Sequence, residues 1–555
     1  MPKRTHQEYH SRATAEVAQF VDALQSATTH GGTFDSAAAD DFIKTAVNQS
    51  AVTVPAGLQA VLDEAGTGDT SRISRAILDG ATAYEAQHGT QAPADVLQQA
   101  IHLAYSTTNA ARRQFALDSA STSMGSDPLS LQPNRAIVAI LSAMGDAIPF
   151  AHYLPADIGS NESVLAIMSH NAGSTFGSYK QGGLMDGHLS GDPYITSSRV
   201  HTSYPGATGA VSGALTAEQE TMDACKVGAA PIKLLRGRTL VYVDGRVAAK
   251  EVDSTGAGNS PISGSIQIGG SSYQIGGYIN PDSGVYELTT SPALPATVPV
   301  VVEGFIDYER APEITPAIIT QVNTFKLHAK PWRVITQQSI DSRTQMSNEL
   351  GLDPYSESVV AIQAQFANER HYDVLAKARR LAANNKATFD FKWSTQGNYK
   401  SRDKIWIDFA SVLGAVSQQM ALDTLNHGVT HLYVGKHVAA QFMSLPREIF
   451  EPSGVAERPN IFRIGRLFGR FEVYYTPKGL NDGPTASQIL CIGRATDVTR
   501  NPFVLGDAVS PTVIPLSVNA DLRQGAGFYA RNFTAVNPHG PSSLGAAMID
   551  VIHMD

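Results

Sequence analysis

Gly435 and Lys436 lie in the run "VTHLYVGKHVAAQFMSL" (429–445), where an apolar strand-like stretch gives way to a helical pattern, the setting of a phosphate-cradling loop. That chemistry needs several residues of flexible backbone before the lysine and a Ser or Thr after it. Here a single glycine precedes Lys436 and His437 follows, so the expectation is a strand-to-helix turn. "GAGFYA" (525–530) fits the loose Gly-x-Gly-x-x-Gly/Ala dinucleotide pattern, which should end a buried strand and open a helix. It follows polar "NADLRQ" and precedes strand-like "RNFTAV", so Gly525 and Gly527 are read as places where packed backbones come close.

His427, His431 and His437 crowd together as metal ligands would. The spacing of six between His431 and His437 does not put a pair on one helix face, and no His-Glu-x-x-His occurs, so polar or capping histidines are expected. There is no Gly-x-Ser-x-Gly, and neither Cys225 nor Cys491 stands in a Cys-x-x-Cys. Asp40, Asp41, Glu448 and Glu451 sit near helix ends or loops and read as capping or solvated carboxylates. The basic runs "ARRQF" (111–115) and "KARR" (377–380) carry too few charges to grip nucleic acid. No catalytic, cofactor-binding or metal-binding residue is assigned, no cofactor is expected, and the chain is read as not an enzyme.

Composition narrows the class. A net charge of −9 with 17% charged residues argues against a protein that neutralises many phosphates; beside nucleic acid it would enclose rather than grip. Two cysteines make no disulfide framework, and a reducing compartment follows. "MPKRTHQEYHSRATAEVAQF" has no apolar core of signal-peptide length, and no uninterrupted apolar stretch approaches about 18 residues, so a soluble chain with no membrane partner is expected. At 555 residues, two to four domains or one domain with large insertions is the expectation.

Residues 1–118 carry five helical patterns, with Asp35 and Thr70-Ser71 as N-caps and Pro93 in a first turn. A polar link, "DSASTSMGSDPLSLQPN" (118–134), leads into a Ser/Gly-rich mixed stretch to about 200 with few periodic cues. From 237 to 310 the period becomes two, with "TLVYVDGRVAA" a hairpin about Asp-Gly and "INPDSGVYE" another turn. The longest helical signal follows: Asp353 caps, Pro354 opens, Gly351 ends the preceding turn, and Val359, Ile362, Phe366, Val374, Leu375, Ala378 and Leu381 form its apolar stripes. Helix and strand then alternate through "DFASVLGAVSQQMALDTL", "THLYVG", "KHVAAQFMSLP", "FGRFEVYYTPKG" and "SQILCIG", before a β-rich tail.

That order resembles the major capsid proteins of tailed bacteriophages, the Hong Kong 97 type fold. The resemblance covers roughly 195–555 and is carried by succession rather than by a short motif. It implies an α+β chain: a helical N-terminal region (1–118), an N-terminal arm (119–200), an extended loop (201–340) containing an extra β-rich insertion (237–310), a peripheral domain with a long spine helix (341–404), an α/β axial domain (405–515) and closing peripheral strands (516–555). "NTFKLHAKPWRVITQQS" resembles the return of the extended loop, Pro354 to Asn384 the spine helix, and "NADLRQGAGFYARNFTAVNPHG" the closing strands.

The implied function is structural: pentamers and hexamers of an icosahedral phage head enclosing double-stranded DNA without sequence-specific binding. The implied partners are further copies of the chain and scaffolding, portal and decoration proteins. The implied location is the virion, after assembly in the bacterial host cytoplasm. Residues 1–118 exceed a simple arm and are either a scaffolding-like domain that a protease removes or a retained arm gripping neighbours. Two alternatives stay open, an encapsulin-like bacterial compartment shell and a hydrolase with a discontinuous active site and a β-rich accessory domain.

Overall fold

The computed structural model describes residues 6–30, 33–48, 52–65, 69–106, 128–156, 161–252, 258–350, 354–516 and 521–555. The basic run at 111–115, most of the polar link, and the Gly351 and Asp353 boundary signals lie outside the described residues.

The chain divides into two compact units, one built from 1–167 and 324–555, the other from 168–323. Leaving aside elements of four residues or fewer that carry no argument, the order runs α1 (His6–Thr28), α2 (Ser36–Asn48), α3 (Ala56–Ala65), α4 (Thr70–His88), α5 (Ala94–Ser106), α6 (Pro128–Gly145), β1 (His152–Tyr153) and β2 (Glu162–Ala172). Next come β3 (Ser198–Ser203), β4 (Ala210–Ala214), β5 (Leu240–Val243), β6 (Arg246–Glu251), β7 (Ser260–Ile268), β8 (Ser271–Ile279), β9 (Val285–Ser291) and β10 (Val300–Phe305). The chain returns through β11 (Ile318–His328), β12 (Lys330–Ser339), α7 (Ile340–Leu350), α8 (Pro354–Leu381), β13 (Lys386–Asp390), α9 (Arg402–Thr424), β14 (Val429–Val434) and α10 (Lys436–Met443). It closes with β15 (Phe450–Pro452), β16 (Phe462–Leu467), β17 (Phe471–Tyr475), β18 (Ala486–Gly493), β19 (Phe503–Leu516), β20 (Arg523–Val536) and β21 (Ala546–Ile552).

In the first unit a seven-stranded mixed sheet, ordered β13-β21-β18-β14-β17-β16-β15, is buried on both faces. On one face Leu432, Val434, Val473, Ile489, Cys491, Ala547 and Ile549 pack against Trp406, Phe409, Leu413 and Met420 of α9 and Val438 and Phe442 of α10. On the other, Tyr433, Tyr474, Leu490, Ile492, Ala546 and Met548 share one core with Phe20 and Leu24 of α1, Ile73 and Ile77 of α4, Ala100 and Ile101 of α5, Ile140 of α6 and Val374 and Leu375 of α8. Period-two alternation within nearly continuous apolar runs is what a sheet covered on both sides requires. By length and composition α9 could cross a membrane; Trp406, Phe409, Leu413 and Met420 on one of its faces are buried in this core.

A four-stranded sheet, β12-β20-β19-β1, lies in the same unit, with Trp332 of β12 and Phe528 of β20 meeting Phe366 of α8 at ring-centroid distances of 5.3 and 5.2 Å. Several boundaries differ from the sequence expectation. Residues 128–134 of the expected polar link belong to α6, and the mixed stretch supplies Ile148, Phe150 and Tyr153 to the main core. Too few apolar repeats separate those residues to leave a periodic signal. β19, placed by sequence with the α/β domain, pairs with β20 in the four-stranded sheet. The final strand β21, expected among the closing strands, lies instead between β13 and β18. Pairing partners distant in sequence decide these memberships, and periodicity carries no information about them.

Helix starts also shift. Asp35 Oδ1 accepts from Ala37 N (2.9 Å) and Ala38 N (3.3 Å), an N-cap as expected. Thr70-Ser71 does not cap: α4 begins at Thr70, and Asp69 occupies the half-in position with its carboxylate turned to Arg72 Nη1 (2.7 Å). Pro93 stands one residue before α5, where its carbonyl accepts from Val96 and Leu97. Gly89 ends α4 at φ 68°, with the Arg463 guanidinium where a Cβ would lie, so both its backbone and its lack of side chain are used.

The second unit holds an eight-stranded antiparallel sheet, β3-β10-β5-β6-β7-β8-β9-β4, drawn from 198–305 and so starting well before the expected 237. The Asp244-Gly245 hairpin forms as read, both residues having positive φ (49° and 71°). The terminal strands approach each other, Ser203 Oγ lying 3.5 Å from the Ser212 carbonyl and 2.6 Å from the Tyr286 hydroxyl. β2 and β11, which leave for and return from this unit, pair as a two-stranded ribbon.

Candidate functional site

The Gly-Lys turn has its anion already. The loop before β18 brings Asp482 to the N-terminus of α10, where Oδ2 accepts from Lys436 N (2.8 Å) and Oδ1 from His437 N (3.3 Å), with Ser487 Oγ holding Oδ1 at 2.8 Å. A Cβ at Gly435 would collide with that carboxylate, and the Gly435 backbone itself is extended. Hence the glycine serves close approach and an intramolecular cap replaces any phosphate. Asp482→Ala should lower stability by about 1 kcal/mol, read as a shift in urea midpoint, whereas Gly435→Val should cost more because the whole loop must move.

Gly525 and Gly527 lie mid-strand in β20, paired with Gln337 and Ile335 of β12, and a Cβ at Gly525 would run into the Thr336 carbonyl. Among the described residues no three His, Cys, Asp or Glu groups are placed to share a metal ion. Asp41, Glu448 and Glu451 are exposed and Asp40 half-buried on α2. Lys377 of the second basic run is tied to Asp373 Oδ2 (2.5 Å) and the Thr534 carbonyl (2.6 Å). Burial pushes up both thiols, Cys225 in one unit and Cys491 in the other.

The sequence did not reveal a buried polar layer between the N-terminal helices and the sheets. Asp95 of α5 accepts from Tyr153 N (2.9 Å) and Arg494 Nη2 (3.2 Å) and lies 3.3 Å from His152 Nδ1. Burial works to raise this carboxyl, but the His152 hydrogen bond and the Arg494 charge outweigh it and hold it below the usual range. Gln99 Nε2 of α5 donates to Asp507 Oδ2 (2.9 Å), which also receives both Arg370 Nη atoms (3.3 and 3.2 Å). Phe150 meets Tyr433 edge-on at 5.6 Å, and Tyr433 stacks on Tyr474 at 5.3 Å. His88 Nδ1 lies 3.0 Å from the Tyr474 hydroxyl, and His371 Nε2 lies 3.1 Å from that of Tyr433.

Four histidines of this unit are held neutral. Burial lowers His88 to about 3, helped by nearby His371 and by the Arg463 and Arg494 charges, and lowers His431 to about 3, helped by Arg494 and His88. Burial takes His371 to about 4 and His427, near His152, also to about 4. Their folded pKa values lie below the unfolded value near 6.5, so their contribution is complete above about pH 6.5 and is lost as pH falls toward 4. All three tryptophans, Trp332, Trp393 and Trp406, lie in the first unit, so their fluorescence reports on it alone. Urea midpoints followed this way should fall steadily from pH 7 to 4.5, at up to about 1.4 kcal/mol per pH unit for each histidine. A flat profile would contradict their neutral burial.

Exposed apolar side chains concentrate on particular strands. On β11, Ile318, Ile319 and Val322 are each about half exposed (50, 49 and 50%). On β12, an edge strand, Val334 is also exposed and Ile335 is 67% exposed.

No family model matches the chain, and no curated protein matches it. Solved structures similar to it include the capsid of jumbo bacteriophage PhiKZ (10% identity, 72% of this chain and 91% of that one, TM-score 0.35). The capsid of Myoviridae phage XM1 is similar at 8% identity, over 58% of this chain and 90% of that one, with TM-score 0.30. The SrpI encapsulin of Synechococcus elongatus PCC 7942 is similar at 11% identity, over 43% and 79%, with TM-score 0.27.

Proposed function

We propose that the chain is the structural subunit of a closed protein shell, a major capsid protein of the Hong Kong 97 type, and has no catalytic role. The observation that carries this reading is the set of apolar side chains left in water on β11 and on the edge strand β12. Strands with that exposure are aggregation-prone in a monomer and become useful when neighbouring copies cover them. The 28-residue α8 and the mixed sheet after it stand in the order that the capsid resemblance implies for spine helix and axial domain.

In this reading copies assemble into pentamers and hexamers of an icosahedral phage head, helped by scaffolding, portal and decoration proteins in the bacterial cytoplasm. The finished virion encloses double-stranded DNA without reading its sequence, in keeping with a subunit charge of −9. The N-terminal helices are retained in the shell, since they share a core with the sheet. Negative-stain electron microscopy of the purified protein, beside analytical size exclusion, tests the proposal. Shells, sheets or ring-shaped capsomers are expected; a persistent small monomer or dimer, even with a scaffolding partner supplied, would overturn it.

A further inference from the structure

Strand alternation gives the four-stranded sheet two unlike faces. Trp332, Phe528 and Ala530 lie on the face that α8 covers with Ile362 and Phe366. The residues between them pair on the other face: Pro331 with Arg531, Arg333 with Tyr529 and Ile335 with Gly527. Ile335 stands 67% exposed there, its cross-strand partner being a glycine with no side chain to cover it. Arg333 is exposed, its guanidinium 5.6 Å from the centre of the Tyr529 ring, and Arg531 Nε donates to the Ala329 carbonyl (3.4 Å). Among the described residues neither arginine has a carboxylate partner. In a chain with 51 Asp and Glu against 42 Lys and Arg, a basic face around an exposed isoleucine complements a surface both acidic and apolar.

The chain carries such a surface on the far side of the same layer. Glu357, Val360, Ala361 and Ala364 recur at helical spacing on α8, turned away from Ile362 and Phe366, and Val360 is 61% exposed. From Pro354 to Glu369 the helix carries Glu357 and Glu369 and no Lys or Arg. Ala361 and Ala364 are small enough to let a sheet face approach closely. Duplex DNA matches the basic face less well, because Ile335 and Gly527 would meet phosphates without pairing them.

We propose that the Arg333 and Ile335 face of one copy packs on the Glu357 and Val360 face of α8 in the next, head to tail. The contact rests on the shell reading and specifies which surfaces neighbouring copies share. Lying on opposite faces of one layer, the two patches cannot meet within a copy, nor can both be used in a two-fold pair. Repeated from copy to copy they generate a ring wherever the rotation closes.

Cys225 and Cys491 are buried, so Ile335→Cys and Val360→Cys can be linked selectively by a short bis-maleimide. Neither variant alone should give a linked dimer, and their equimolar mixture should. Arg333→Glu and Glu357→Lys should each weaken self-association about tenfold in sedimentation velocity, with the tryptophan-reported urea midpoint unmoved. Mixing these two should restore association, because every contact in an alternating assembly then joins opposite charges. Linkage of Ile335→Cys to itself, or charge variants that associate no better mixed than apart, would overturn the contact. So would duplex DNA retained by the parent and lost in Arg333→Glu with self-association unchanged. Shells from the parent without linkage in the cysteine mixture would overturn the contact and leave the shell reading standing. Linkage in that mixture from a parent that builds no shells would do the reverse.

Discussion

A chain beginning at residue 128 should fail to give soluble, folded protein. Removing α1 to α5 takes Phe20, Leu24, Ile73, Ile77, Tyr84, Ala100 and Ile101 out of the core they share with Tyr433, Tyr474, Leu490 and Met548. Each large buried side chain contributes about 1.5–3 kcal/mol, so the loss exceeds the roughly 5–15 kcal/mol by which whole domains are stable. Polar losses add to this. Without Asp95 and Gln99, Arg494 loses its buried carboxylate and Asp507 loses the Gln99 amide. Solubility on expression, tryptophan emission and far-ultraviolet circular dichroism check the expectation. Recovery of a cooperative, soluble 128–555 fragment would instead favour a scaffolding-like N-terminal domain that a protease can remove.

The helices of this region were legible in the sequence because each carries an amphipathic stripe, Val17, Phe20, Val21 and Leu24 in α1 being the clearest. What they cover was not legible. A stripe announces a buried face without naming its partner, and the face opposite, in β14 and β18, reads as a continuous apolar run equally suited to either neighbour. The polar layer was hidden for a related reason. Asp95, His88 and Gln99 look like ordinary helix-surface residues until Arg494, Tyr474 and Asp507, some 400 positions away, arrive beside them.

By contrast, local chemistry was readable where a turn or a cap is decided within a few residues. The Asp244-Gly245 hairpin and the Asp35 cap are examples. The strand-to-helix turn at Gly435 was legible from spacing, although the carboxylate that caps the helix, Asp482, comes from 47 residues downstream and no local pattern points to it. The same limit applies to the buried Gln99, Arg370 and Asp507 cluster, whose members come from α5, α8 and β19 and meet only in the fold.

The exposed strands give the second large effect. Ile319→Asp combined with Ile335→Asp should abolish assembly while leaving the isolated subunit as stable as the parent. Neither side chain is in a buried core, so the change costs the folded chain little; surface substitutions of this kind fall within about 0.5 kcal/mol. In the proposed shell neighbouring copies would cover the same side chains, and each aspartate would replace a favourable burial of about 1.5–3 kcal/mol with a desolvated charge. Closed assemblies repeat every contact many times, so a penalty at one contact is multiplied across the lattice. The variant should therefore run as a small species on size exclusion under conditions where the parent forms capsomers or shells, with an unchanged urea midpoint. Assembly at the parent's level would show that these strands are not contact surfaces. Loss of both assembly and stability would place the two isoleucines in the folding of the subunit and remove the support they give to the shell reading.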